Sequence, residues 1–129
     1  MTLMQILLVA LAGGLGAGLR YILDVAIQRG RRGVFPLGIL IVNVTGSLAL
    51  GIVTGLGDAL AAPVVAILGV GLLGGYTTFS TVSTESALLL QTGRRDWGWL
   101  NLIGTAVSGV IAAAVGLLVG GVIGGLIPR

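Results

Sequence analysis

The feature that most limits what this chain can fold into is a polar stretch set inside an oily segment. Gly74-Gly75-Tyr76-Thr77-Thr78-Phe79-Ser80-Thr81-Val82-Ser83-Thr84-Glu85 lies between the apolar run from Val64 to Leu73 and the run from Ala87 to Leu90. Together they make a segment of about 28 residues, long enough to cross a bilayer at a rise of about 1.5 Å per residue. Paired glycines weaken a helix, and hydroxyl side chains compete for its backbone groups. At membrane depth, non-helical backbone is tolerated only where protein buries it or it lines a wet cavity. The stretch therefore marks a candidate site.

Composition says what surrounds that site. Of 129 residues, 56% are hydrophobic and 9% charged, with a mean hydropathy of +1.13. Such a chain cannot cover a soluble surface; it is an integral membrane protein. Cys and His are absent, which removes disulfides, thiolate chemistry, imidazole bases, the usual zinc ligands and a His-dependent serine triad. No enzymatic constellation remains. The net charge of +3 comes from arginines scattered over the chain, too dispersed for a nucleic-acid surface. The 24 glycines suit close approach of transmembrane helices. The N-terminus lacks a basic region and an obvious cleavage site, so its apolar run is expected to stay as a first span.

Four spans are predicted, at about residues 4–23, 37–56, 63–90 and 100–119, forming a single transmembrane domain. In span one, Gly13/Ala17 and Gly14/Gly18 are small-xxx-small pairs suited to tight packing, and Arg20 and Asp24 come near its end. Pro36 opens span two, where a first-turn proline costs nothing. Asn43, Ser47, Gly51 and Gly55 follow at i+4 spacing and form one polar-to-small stripe. In span four, Asn101, Thr105 and Ser108 share a face, and Trp97 and Trp99 before it read as interfacial anchors.

Loops one and three fall on one side and carry Arg29, Arg31, Arg32, Arg94 and Arg95, whereas loop two carries no basic residue and Arg129 lies at the other end. The positive-inside rule then favours both termini outside.

Four short spans leave little interior for so many polar groups, so pairing of two copies is the natural way to wall them in. Asn43, Thr81, Thr84, Thr105 and Ser108 offer hydrogen-bond donors, and Phe79 offers the positive edge of its ring. Pore-lining groups of this kind can replace the hydration shell of an ion. Arg20, Asp24 and Glu85 are the ionisable residues within or near the spans. Donors and a cation without a deep carboxylate suit an anion.

At this point the motifs resemble a known family. Gly13-Gly14-Leu15-Gly16-Ala17-Gly18-Leu19-Arg20-Tyr21, Pro36-Leu37-Gly38 with Asn43 and Gly46, and above all Gly74 to Glu85 are similar to the Fluc (CrcB) fluoride channels, whose third-span pattern is close to GGxTTFSTFSxE. The resemblance covers nearly the whole chain. It implies an all-α, dual-topology antiparallel dimer with the third helix broken near its middle. The dimer would export cytoplasmic fluoride passively across the inner (plasma) membrane of a prokaryote, through two pores with a sodium ion at its centre. Carried over, Asn43 would donate to fluoride and Phe79 would present its ring edge. Thr105 would stand where the family often has a pore-lining Ser, and Thr81 and Thr84 would extend the polar track. Backbone carbonyls of Gly74 and Thr77 would hold the sodium. Arg20 would hold the structure or bias the vestibule towards anions, and Glu85 would sit at a vestibule or interface. Two positions depart from the pattern: Val82 replaces the second phenylalanine, and Ile39 replaces the usual threonine after Pro-x-Gly. Because some family members are heterodimers of two homologous chains, the partner is either a second copy or a homologue. A small multidrug exporter would need a carboxylate in the middle of span one, and Met4 to Leu19 holds none. A purely structural subunit would need no polar track.

Overall fold

The computed structural model describes residues 1–31 and 35–127; Arg32 and Arg129 of the charge argument lie outside them. Four helices in the described residues are long and apolar enough to cross a membrane. Helix α1 (Leu3–Gln28, 26 residues) begins with a reciprocal cap. The Gln5 N–H donates to the Thr2 hydroxyl over 3.3 Å, and the Thr2 N–H donates to the Gln5 side-chain oxygen over 2.8 Å. Two donors that open every helix are satisfied this way. Gly30, at φ 76°, turns the chain, and α2 (Leu37–Gly55, 19 residues) starts directly after Pro36.

The third span, Ala62–Gln91, is not uniformly wound. Its first part, α3 (residues 62–76), starts with Pro63 in the opening turn, carries π-helical winding over Ala66–Leu73, and ends in the turn Gly74–Tyr76. Thr77 (φ −80°, ψ 155°) and Thr78 (φ −152°, ψ 125°) are extended. Winding resumes in α4 (Phe79–Gln91), and α5 (Arg95–Leu126, 32 residues) follows a turn at Gly93, φ 83°. At about 1.5 Å per residue, α5 is about 48 Å long, well beyond a hydrocarbon core of about 30 Å.

Helix α5 packs along α2 and α4, and α1 packs along α3. Two of these seams are backbone against backbone. A Cβ on Gly16 would meet the Leu72 carbonyl oxygen, and one on Gly75 would meet that of Gly13. Likewise Gly51 faces the Ala113 carbonyl, and Gly116 faces that of Leu48. Close approach of this kind is how membrane helices gain dispersion energy without a hydrophobic drive. The span-two stripe is therefore a packing stripe over Gly51 and Gly55, which touches the Leu117 carbonyl. In span one the strip used within the chain holds Ala12, Gly13 and Gly16, whereas nothing lies within 4 Å of a Cβ on Gly14 or Gly18. That divides the two expected pairs, because residues one position apart on a helix point about 100° apart.

Large apolar side chains cover the outside: Leu11 is 68% exposed and Val110 71%. These faces are covered by lipid or protein in a membrane. Loops one and three meet at one end, where Trp97 takes the Arg94 guanidinium over its ring at 5.0 Å and lies edge-on to Phe35 at 6.1 Å. Cationic and aromatic groups held at one end suit a membrane–water boundary.

Candidate functional site

The extended pair Thr77–Thr78 depends on a side chain from another helix. An unbroken helix would give the Thr78 N–H to the Gly74 carbonyl. Here the Thr78 N–H donates instead to Asn43 Oδ1 over 2.8 Å, and Asn43 Nδ2 donates to the Ile39 carbonyl over 2.9 Å. Asn43 is 9% exposed; its bond to Ile39 is buried and its bond to Thr78 part-buried. The Gly74 carbonyl loses its i+4 donor, and the side chain of α2 holds the chain open where α3 stops. Thr78 then starts α4 as its N-cap, its hydroxyl oxygen accepting from the Thr81 N–H over 3.3 Å, a standard way to satisfy a first-turn donor.

A groove of about 560 Å³ opens at this level between α2, α4 and α5. Asn43, Phe79, Thr105, Gly74 and Thr77 line it, together with Ser47 and Val82. Five residues expected at the site are thus brought together. Phe79 stands at the edge, 71% exposed, whereas Val82 is 2% exposed and Thr105 6%. Thr81 lies beside the groove-lining Thr78, whose hydroxyl donates to Thr81 Oγ1 over 3.2 Å.

The remaining expected residues stand elsewhere. Thr84 is exposed and donates to the Ser80 carbonyl of its own helix over 2.9 Å. Ser108 bonds back to the Gly104 carbonyl over 2.6 Å and faces an apolar recess with Phe35, Leu40 and Val44. Glu85 lines a separate cavity of about 500 Å³ at the loop-one and loop-three end, with Asp24, Gln28, Arg31, Ile39 and Arg94. Arg20 reaches across from α1, its Nε donating to the Gly75 carbonyl over 3.4 Å. It places a cation directly behind the interrupted helix.

Two buried residues outside the expected site join it to the rest. Asn101, fully buried, donates to the Ser86 hydroxyl over 2.9 Å and to the Val82 carbonyl over 3.4 Å, tying α5 to α4. Asn101 was visible as the i−4 neighbour of Thr105, but Ser86 carries no signal in the sequence. Among the described residues no three His, Cys, Asp or Glu side chains gather as metal ligands. The Gly74 carbonyl, released by the Thr78–Asn43 bond, is of the right kind for a hard cation.

Fold and groove together define a small multi-pass membrane protein with an amide, hydroxyls and an aromatic ring gathered beside an interrupted helix. Residues 7–126 match the family described as CrcB-like protein, Camphor Resistance (CrcB). A protein of Leifsonia xyli subsp. xyli named Fluoride-specific ion channel FluC 1 is 47% identical over 94% of this chain and 90% of its own length. FluC 2 of Cutibacterium acnes is 44% identical over 91% and 98%, and FluC of Shewanella sp. W3-18-1 is 45% identical over 72% and 75%. The chain belongs to the CrcB family, as its third-span motif implied.

Proposed function

We propose that the chain is a fluoride-specific ion channel that lets cytoplasmic fluoride leave the cell passively across the inner membrane. The observation that carries the proposal is the groove, which Asn43, Thr105 and Phe79 line without a carboxylate. Nδ2 of Asn43 has two hydrogens, and its bond to Ile39 uses one. A hydroxyl, an amide hydrogen and a ring edge all present positive poles, and these can replace the shell of water that a small anion carries. The names of the relatives supply the ion; the donor set is consistent with it.

One chain leaves the groove open along Phe79, where a second chain would close it; the family resemblance implies a pair in antiparallel orientation, the interrupted third helix of each facing its partner. Carbonyl oxygens of Gly74 and Thr77 from both chains would hold a sodium ion at the centre, as a charge that fastens the two interruptions together. Thr81 and Thr84 extend the polar path along α4. Ser108 and Glu85 line other recesses, Glu85 in the cavity at the loop-one and loop-three end.

Fluoride efflux from proteoliposomes, measured against chloride, tests this reading. Flux from this chain alone, with chloride excluded, is the expected result; no fluoride flux rejects a self-sufficient channel. Flux that appears only with a homologous chain would assign it to a heterodimer, a second reading motivated by Val82 at the groove in place of the family's phenylalanine.

A further inference from the structure

Thr105 is the groove hydroxyl on α5, and its proton has a fixed address when nothing else is bound. The Val82 carbonyl can only accept a hydrogen bond, so the Asn101 atom 3.4 Å from it is the amide nitrogen. The same nitrogen donates to Ser86 Oγ. The amide is thereby oriented, and its oxygen is left to face Thr105. Since Oδ1 only accepts, Thr105 must donate to it, and does so over 3.5 Å. That separation is long for an O–H···O bond, whose usual distance is about 2.7–2.8 Å. Among the described residues no buried side-chain polar atom lacks a partner. That long bond is the partner the Thr105 hydroxyl has.

We propose that Asn101 is a positioning residue for the groove: it parks the Thr105 proton between passing ions and surrenders it to an anion. A hydrogen bond to an ion is roughly twice as strong as one between neutral groups, so an anion within reach takes the proton from a stretched neutral bond. Asn101 itself is fully buried and acts only through Thr105. The anchor on α4 keeps the amide oxygen from following the hydroxyl into the groove. A short, strong Thr105–Asn101 bond would hold the proton back, whereas no partner at all would leave a buried hydroxyl unsatisfied at every step between ions. The device rests on the anion-conducting reading above.

The test is a double-mutant cycle on the full chain in proteoliposomes, with fluoride efflux as the readout. Asn101→Leu and Thr105→Val are each expected to lower flux by about tenfold, the scale set by one hydrogen bond at about 1.4 kcal/mol per factor of ten. The two together should lose no more than Thr105→Val alone. Ser86→Ala removes one of the two bonds to α4 while the Val82 carbonyl still orients the amide and the Thr105–Asn101 bond stays; it should lower the melting temperature and keep flux within about twofold. If Asn101→Leu does not reconstitute, Asn101→Ser takes its place in the cycle. Multiplicative losses in the double variant, or a flux loss in Ser86→Ala as large as in Asn101→Leu, would mean that Asn101 is only a helix tie and would overturn the proposal. Absence of flux from the unmodified chain would instead strike at the channel reading itself, so the two failures are distinguishable.

Discussion

Replacing Asn43 separates two jobs that the side chain performs at once. Asn43→Asp keeps an oxygen where Oδ1 accepts from Thr78 but removes both amide hydrogens and puts an anion beside the groove. The interruption of the third helix should survive, because a carboxylate accepts from a backbone N–H at least as well as an amide does. Conduction should not. A hydrogen bond to a charged group contributes about 1.5–3 kcal/mol, and at about 1.4 kcal/mol per factor of ten its loss lowers flux roughly 10- to 150-fold. Repulsion between carboxylate and fluoride adds to that. Asn43→Leu has the complementary effect on the fold: the Thr78 N–H is orphaned in a site where Asn43 is 9% exposed, which costs about 1–3 kcal/mol of stability. The assay pairs fluoride-electrode efflux with thermal melting in detergent. Expected are a folded, silent Asp variant and a destabilised Leu variant. Wild-type flux from Asn43→Asp would refute the donor role, and an unchanged melting temperature in Asn43→Leu would refute the clamp.

Phe79→Ile should abolish most flux with little change in the stability of a single chain, since Phe79 is 71% exposed and surface changes usually stay within about 0.5 kcal/mol; efflux and melting measured together check this. Gly16→Ala pushes a Cβ against the Leu72 carbonyl and should cost about 1–3 kcal/mol, whereas Gly14→Ala, with nothing within 4 Å in the chain, should be neutral or gain up to about 1 kcal/mol of helix propensity. If the Gly14 variant instead loses dimer, seen by cross-linking, that face is an interface between chains. Val82→Phe restores the family residue, but Val82 is 2% exposed. The larger ring should destabilise the chain by about 1–3 kcal/mol of overpacking, read as a lowered melting temperature, before any gain in conduction appears.

The spans were legible because each is a long apolar window with few charges, a property of composition that tertiary packing does not alter. The stripe on α2 was legible too: Asn43, Ser47, Gly51 and Gly55 repeat at i+4 on a regularly wound helix. Reasoning by i+4 spacing runs out in α3, where π winding over Ala66–Leu73 changes the register of everything after it. It also runs out for hydroxyls. Nothing in the sequence says that Ser108 bonds to its own backbone and faces a different recess from Thr105. The Asn101–Ser86 tie needs two helices set side by side before it exists. The motif resemblance placed Asn43 in the site, but not the fact that its oxygen is spent on Thr78.

That shared use of one amide limits how such a protein can change over generations. A lineage drifting towards a different anion would ordinarily begin by swapping the groove's strongest donor. Here a swap to a residue without a side-chain oxygen also removes the acceptor that keeps Thr78 out of helical hydrogen bonding, so the architecture falters before a new selectivity can be tried. Variation is freer at Phe79 and Thr105, which line the groove without holding the backbone open. Retuning is therefore expected to enter by those two positions, with Asn43 the last to move.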